Sequence, residues 1–255
     1  TIAVDTETDA LDSMAAGLVG VSIATGPNRA CYIPLAHGGS DLFSDSPAQV
    51  PMATAMAKLK RLLEDPSVLK IGHNIKYDLN VLERYGISVA PIDDTMVISF
   101  ALDAGRGEEG MGGGHGMDEL SQRHLGHTPI PFKELCGTGK KAILFGEVPL
   151  DRATAYAAED ADVTLRLWHI LKPRLAEEHL VTVYETLERP LVPVLARMEM
   201  AGIDLANPPP LAGGKVATYF DGRWQRGAHR RRPQSTKAFE TLEKPAFRGR
   251  FFHIW

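Results

Sequence analysis

Three acidic clusters hold the side chains of this chain best suited to chemistry. In Asp5-Thr6-Glu7-Thr8, a side-chain period of two puts Asp5 and Glu7 on the same face of a strand. Two carboxylates so placed repel each other unless a proton or a cation joins them, and hard oxygen ligands suit Mg²⁺ or Mn²⁺. An isolated Asp-x-Glu is more often a solvated strand end. The second cluster, Gly72-His73-Asn74-Ile75-Lys76-Tyr77-Asp78, stands where a strand passes into a helix. Asp78 follows Asn74 by one helical turn on the same side, and Lys76 and Tyr77 could meet phosphate and sugar at that mouth. Taken alone, Asn74 reads as an N-cap. In the third cluster, Tyr156-Ala157-Ala158-Glu159-Asp160-Ala161-Asp162, Tyr156 and Asp160 share a helix face at i, i+4. Glu159 and Asp162 point elsewhere and are expected to be solvated. One such cluster proves little; the three together carry the argument.

The elements that must position these residues follow from periodicity. Residues 1–6, 18–25 and 30–35 read as strands joined by short connections, as in an antiparallel meander. Residues 53–64 show helical spacing, 68–72 a short apolar strand, and 75–85 a return to the helical period. Residues 94–102 and 117–125 predict two more helices, separated by a glycine-rich loop with seven glycines between Gly105 and Gly116. A long helix is expected from Asp151 until Pro173 bends or interrupts it, and residues 180–201 read as helical despite Pro190 and Pro193. Strands first, then alternating helix and strand, then helices, predict an α/β or α+β domain with a mixed sheet and helices packed on it.

Composition sets the outer bounds. The chain has 255 residues, of which 44% are hydrophobic and 24% charged, ordinary values for a soluble globular protein. No apolar run is long enough for a membrane span, nothing at the start reads as a signal peptide, and the opening Thr1 suggests a piece of a longer protein. Cys31 and Cys136 can build neither a disulfide framework nor a zinc site, and point to a reducing compartment. The net charge of −4 hides a division: from Asn207 onward there are ten basic and three acidic residues, against 18 basic and 29 acidic before it. Asn207-Pro208-Pro209-Pro210 closes the helical stretch at that boundary.

The three blocks, in this order, resemble the signatures of the four-acid 3′–5′ exonuclease superfamily, in the subgroup with tyrosine in the third block. The surrounding stretches, from Asp5 to Leu11, Gly72 to Asp78 and Tyr156 to Val163, resemble the proofreading domain of the bacterial DNA polymerase I family, family A. Residues 188–203 resemble that family's junction into its polymerase domain. The resemblance spans residues 1–205 and implies an RNase H-like fold, with an exonuclease domain over 1–180 and a helical polymerase entry over 181–206. It implies two divalent ions, Mg²⁺ or Mn²⁺, held by Asp5, Glu7, Asp78 and Asp160, with Tyr156 orienting the attacking water. It also implies that Leu11 and Phe132 hold the terminal base while Thr8, Asn74, Lys76 and Tyr77 contact the substrate. The expected partner is a single-stranded or frayed DNA 3′ end, met by a monomer in the bacterial cytoplasm at the nucleoid, with no membrane. The acidic balance before residue 207 argues against tight general duplex binding and fits metal-dependent capture of an end.

Two rival functions share these features: a stand-alone exoribonuclease of the RNase D type, and a catalytically silent module that binds DNA ends. Residues 188–203 argue against the first and the complete acid set against the second. Gly137-Thr-Gly-Lys-Lys141 fails the P-loop pattern, because Glu134 replaces the first glycine and Lys141 the Ser or Thr. His37, His73, His115, His124 and His127 show no metal-binding spacing. The tail over 207–255, with Arg230-Arg231-Arg232 among aromatic residues, reads as a nucleic-acid arm, as disorder, or as a sequence that is not the natural continuation. The switch in charge favours the last.

Overall fold

Alternating side chains make Ile2–Thr8 a strand, β1, which ends two residues later than its sequence pattern suggests. It pairs antiparallel with β2 (Leu18–Gly26), which pairs antiparallel with β3 (Arg29–Pro34). On its other side β1 runs parallel to β4 (Lys70–Gly72), and β4 parallel to β5 (Ile92–Asp94). The sheet order is therefore β3-β2-β1-β4-β5. This computed structural model describes residues 1–38, 47–103, 114–139 and 142–202. The glycine-rich segment up to 113, Lys140, Lys141, the final residues of the expected polymerase entry and the basic tail lie outside the described residues.

The two faces of the sheet differ in side-chain size, and that difference places the helices. Ile2, Val4, Val21 and Ile23 cover one face and pack against α1 (Met52–Leu63) and α2 (Lys76–Arg84) through Leu59, Leu63, Val81 and Leu82. The other face is lined by Ala3, Ala24 and Ile71, against which Ala161 and Leu165 of α6 (Leu150–Glu177) pack. Alanines on both sides let α6 approach the strands closely. Because Asp5 and Glu7 follow Ala3 at a period of two, they lie on the face that α6 covers. Three further helices, α3 (Thr95–Asp103), α4 (Met117–Leu125) and α5 (Phe132–Cys136), complete this layer. Among the described residues, no helix is long and apolar enough to cross a membrane.

Two sequence expectations are corrected, and two elements are additions to them. Pro173 neither ends nor interrupts α6, because Leu171 and Leu175 on either side of it are both buried and hold the helix through the missing hydrogen bond. Residues 180–201 are not one regular helix. A short α7 (Val181–Val183) leads into a π-turn, Tyr184–Glu188, before α8 (Arg189–Met200). Pro190 supplies no N–H, and the ladder widens before it instead. The strand β5 was not anticipated, since Ile92-Asp93-Asp94 is three residues long and mostly acidic. The short α5 was also missed.

Asp93 is fully buried, and its partners explain how an acid can sit inside the core on the edge strand β5. It accepts hydrogen bonds from Trp168 Nε1 (2.7 Å) and Tyr184 Oη (3.0 Å), and forms a salt bridge with Lys172 Nζ at 3.0 Å. These contacts tie β5 to α6 and to the π-turn. Replacing Asp93 by alanine removes the acceptor of the buried Tyr184 hydroxyl and of the half-buried Trp168 indole, and one of the two acids paired with Lys172. Asp93→Ala is expected to lower unfolding stability by about 3 kcal/mol and Tyr184→Phe by about 1 kcal/mol, read as shifts of the urea midpoint.

Candidate active site

Ladder geometry brings the acids together. Beyond Ala3 the β4 edge of β1 has no strand partner, because β4 pairs only with Ile2 and Ala3. The head of α2 fills that place: Asp78 Oδ1 accepts from the Thr6 backbone N–H (3.0 Å) and from Thr6 Oγ1 (2.5 Å). On the other face, α6 delivers Tyr156 and Asp160. Carboxylate oxygens of Asp5, Glu7 and Asp160 lie within 4.8 Å of one another.

Electrostatics makes this arrangement unfavourable without a counter-charge. Burial pushes the Asp5 carboxyl up to about 7, with the Thr6 backbone N–H pulling the other way. Glu7 is raised well above the usual carboxylate range by burial and then by the charges of Asp5, Asp160 and Asp78. Asp160 and Asp78 are raised in the same way, by burial first and the Asp5 charge second, and a hydrogen bond from Tyr156 to Asp160 offsets part of the effect. Among the described residues, the buried Glu7 Oε1 has no hydrogen-bond partner. Converging carboxylates with an orphaned oxygen are what a divalent cation would satisfy, so the donor set fits such an ion.

The walls of the site come from separate segments. Tyr156 is raised far above its ordinary range by burial and by the neighbouring acids, so its phenol stays protonated. Its ring meets Phe132 at 6.0 Å and Phe145 at 5.9 Å, and Phe132 stacks on Phe145 at 6.4 Å. Phe132 is still 51% exposed and Leu11 98% exposed, so both apolar side chains face outward. Glu159 is not solvated as expected: it accepts from the Ile130 backbone N–H (2.7 Å) and pairs with His127 Nε2 (2.8 Å), which fixes the approach to Phe132. Asp162 likewise has partners, the Asn28 backbone N–H at 2.6 Å and Arg166 Nε at 2.6 Å.

The substrate-facing set at the mouth of α2 is more occupied than its sequence suggests. Tyr77 Oη lies 2.6 Å from Thr8 Oγ1 and donates to the Ala10 carbonyl at 2.6 Å, which anchors the loop bearing Leu11. Lys76 Nζ is ion-paired with Glu199 of α8. Asn74 is not an N-cap; Ile75 holds that position, and Asn74 sits at φ 57 with its backbone N–H bonded to Asp94. Asp94 was missed in the sequence. The available signal was a pair of acids, Asp93-Asp94, in an otherwise apolar stretch.

Comparison with known proteins gives this geometry a family. Residues 1–176 match the 3′-5′ exonuclease family, and the chain belongs to it. It is 55% identical over 215 residues to DNA polymerase I of Rhizobium leguminosarum, covering 79% of this chain and 21% of that protein. It is 42% identical over 205 residues to DNA polymerase I of Pseudomonas aeruginosa, with the same shares covered. The chain thus spans about a fifth of the length of these relatives. A solved structure of Brucella melitensis NrnC with bound Mg²⁺ shares the fold, with a TM-score of 0.58 and 23% identity over 83% of this chain and 90% of that one.

Removing metal should therefore be visible in stability. Because burial pushes the folded Asp5 carboxyl up to about 7 from its ordinary 3.8, its contribution is fully present below about pH 4 and is lost as pH rises through 7. In EDTA the melting temperature is expected to fall between pH 5 and 7.5. Adding Mn²⁺ at pH 7.5 to about 100 times its dissociation constant should restore roughly 5–10 °C, and Asp160→Asn should abolish most of that response in a thermal melt.

Proposed function

We propose that this chain hydrolyses DNA from the 3′ end, one nucleotide at a time, using two divalent cations, Mg²⁺ or Mn²⁺, held by Asp5, Glu7, Asp78 and Asp160. The convergence of three carboxylates within 4.8 Å, in a chain of the 3′-5′ exonuclease family, is the observation that carries this reading. Bound there, such cations supply Lewis-acid activation of water and neutralise charge on the phosphate and the leaving oxygen.

The chain's own groups prepare the reaction. The unpartnered Glu7 Oε1 and the protonated Tyr156 phenol orient a water for attack on phosphorus; with its O–H given to Asp160, Tyr156 holds the water as an acceptor and is no proton sink. The new P–O bond forms as the bond to the O3′ of the preceding nucleotide breaks. That oxygen takes up a proton, leaving a shortened strand and a nucleoside 5′-monophosphate. Leu11 and Phe132 grip the terminal base; stacking of this kind contributes roughly 1–3 kcal/mol and tolerates every base. Thr8 and Tyr77 shape the Leu11 loop, and Asn74 and Lys76 border the sugar–phosphate path. A grip on one unpaired base, combined with an acidic surround, favours single-stranded or frayed ends over duplex.

In this reading residues 1–180 are the nuclease domain and 181–206 begin the polymerase domain of a longer protein. It acts as a monomer in the bacterial cytoplasm, at the nucleoid. Support for the longer protein comes from the DNA polymerase I relatives.

A 3′-mismatched DNA primer incubated with the chain and Mn²⁺ is expected to shorten stepwise. Asp160→Ala should reduce the rate at least about 10³-fold, because the acids act as a unit, and Tyr156→Phe about 10- to 100-fold. Phe132→Ala should raise KM about tenfold with a smaller effect on kcat. Loss of an RNA primer in place of DNA, or a folded chain inert on both, would overturn the assignment.

A further inference from the structure

Asp94, the last residue of β5, is buried, and its carboxylate bonds to neither the four acids nor the side chains that hold Asp93. It accepts four backbone hydrogen bonds: from Asn74 (3.1 Å) and Ile75 (2.8 Å) at the corner between β4 and α2, and from Met96 (2.9 Å) and Val97 (3.2 Å) in the first turn of α3. Its own N–H donates to Tyr184 Oη at 3.2 Å. The corner it clamps is conformationally demanding, because Asn74 lies in the left-handed region and persists there only when its surroundings hold it. From that corner α2 starts, and Asp78 lies in its first turn.

We infer that Asp94 is a positioning residue for Asp78: by clamping the N–H groups of Asn74 and Ile75 it fixes where α2 begins and how far the Asp78 carboxylate reaches toward Asp5. This deepens the nuclease reading and rests on it. The neighbouring Asp93 holds Trp168 and Lys172 of α6. The helices bearing Asp78 and Asp160 are thus both fastened to adjacent residues of one three-residue strand. Both carboxylate oxygens of Asp94 act as acceptors, three N–H groups on Oδ1 and that of Ile75 on Oδ2. An asparagine that keeps its oxygen in the Oδ1 place turns an NH₂ toward the Ile75 N–H, and the corner must move.

The test uses the full chain with Asp94→Asn and Asp94→Glu, the latter keeping charge and acceptors one methylene farther out. Both are assayed on single-stranded DNA well below their melting temperatures. Each folded variant is expected to lose at least tenfold in kcat. Each should also need at least fivefold more Mn²⁺ for half-maximal rate and for the DNA-free rise in melting temperature, with KM for DNA within threefold of wild type. A lowered melting temperature with unchanged kcat and Mn²⁺ requirement would mean a purely structural residue and overturn the inference. A wild-type chain inert on DNA, whose Mn²⁺ response nevertheless weakens in the variants, would overturn the nuclease reading and leave this one standing. Hydrogen exchange on the wild-type chain reads the clamp independently of any variant. The Asn74 and Ile75 amides should be protected together with those of Met96 and Val97, and rapid exchange at the first two would refute it.

Discussion

Mutual repulsion among buried carboxylates is the constraint around which this domain is arranged. Asp5, Glu7 and Asp160 converge from β1 and α6, and Asp78 adds a fourth charge from α2. Left to themselves, such groups would separate or take up protons, and their raised pKa values express that tendency. The scaffold opposes it with packing and neutral partners. Strand pairing fixes Asp5 and Glu7, the alanine-lined face fixes α6, and the Thr6 amide and hydroxyl fix Asp78 where a ladder partner would otherwise lie. The energy stored in the crowding becomes affinity for whatever positive charge enters.

The shortest strand holds the most distant parts together. β5 would be unremarkable by length, yet Asp93 and Asp94 face different neighbours and engage α6, the β4–α2 corner, α3 and the π-turn. An acid without such partners would be costly in a strand buried this deeply; here each oxygen satisfies backbone or side-chain donors. Tyr184 bridges the two, donating to Asp93 and accepting from the Asp94 N–H. The widened turn that carries Tyr184 is thus a working part of the frame, and residues 178–201 belong to the same compact unit as the acids.

Much of this was legible in the chain itself. The acid set could be read because its members lie at periods, two along a strand and four along a helix, that local geometry converts directly into shared faces. The mixed sheet and most helices followed from the same periodicity. Glu159 and Asp94 could not be read that way, because their roles depend on backbone amides 29 and 19 to 20 residues away in sequence, which no period marks. Pro173 misled for the opposite reason: a strong local rule was overridden by burial of Leu171 and Leu175. Lys76, read as a phosphate contact, meets Glu199 across 123 residues, a pairing that belongs to the tertiary fold alone.

The alanine layer between β1, β2 and α6 has one further consequence. Ala3, Ala24 and Ala161 act as a spacer whose thickness sets the gap between the strand-borne and helix-borne acids. A bulkier side chain at any of these positions thickens the spacer, and a displacement of about 1 Å is enough to cost about a hundredfold in a geometry-dependent reaction. The domain can therefore be silenced by adding one or two methyl groups at a site that carries no charge and touches no substrate. A lineage that kept every acid would still lose the activity, and its sequence signature would look intact.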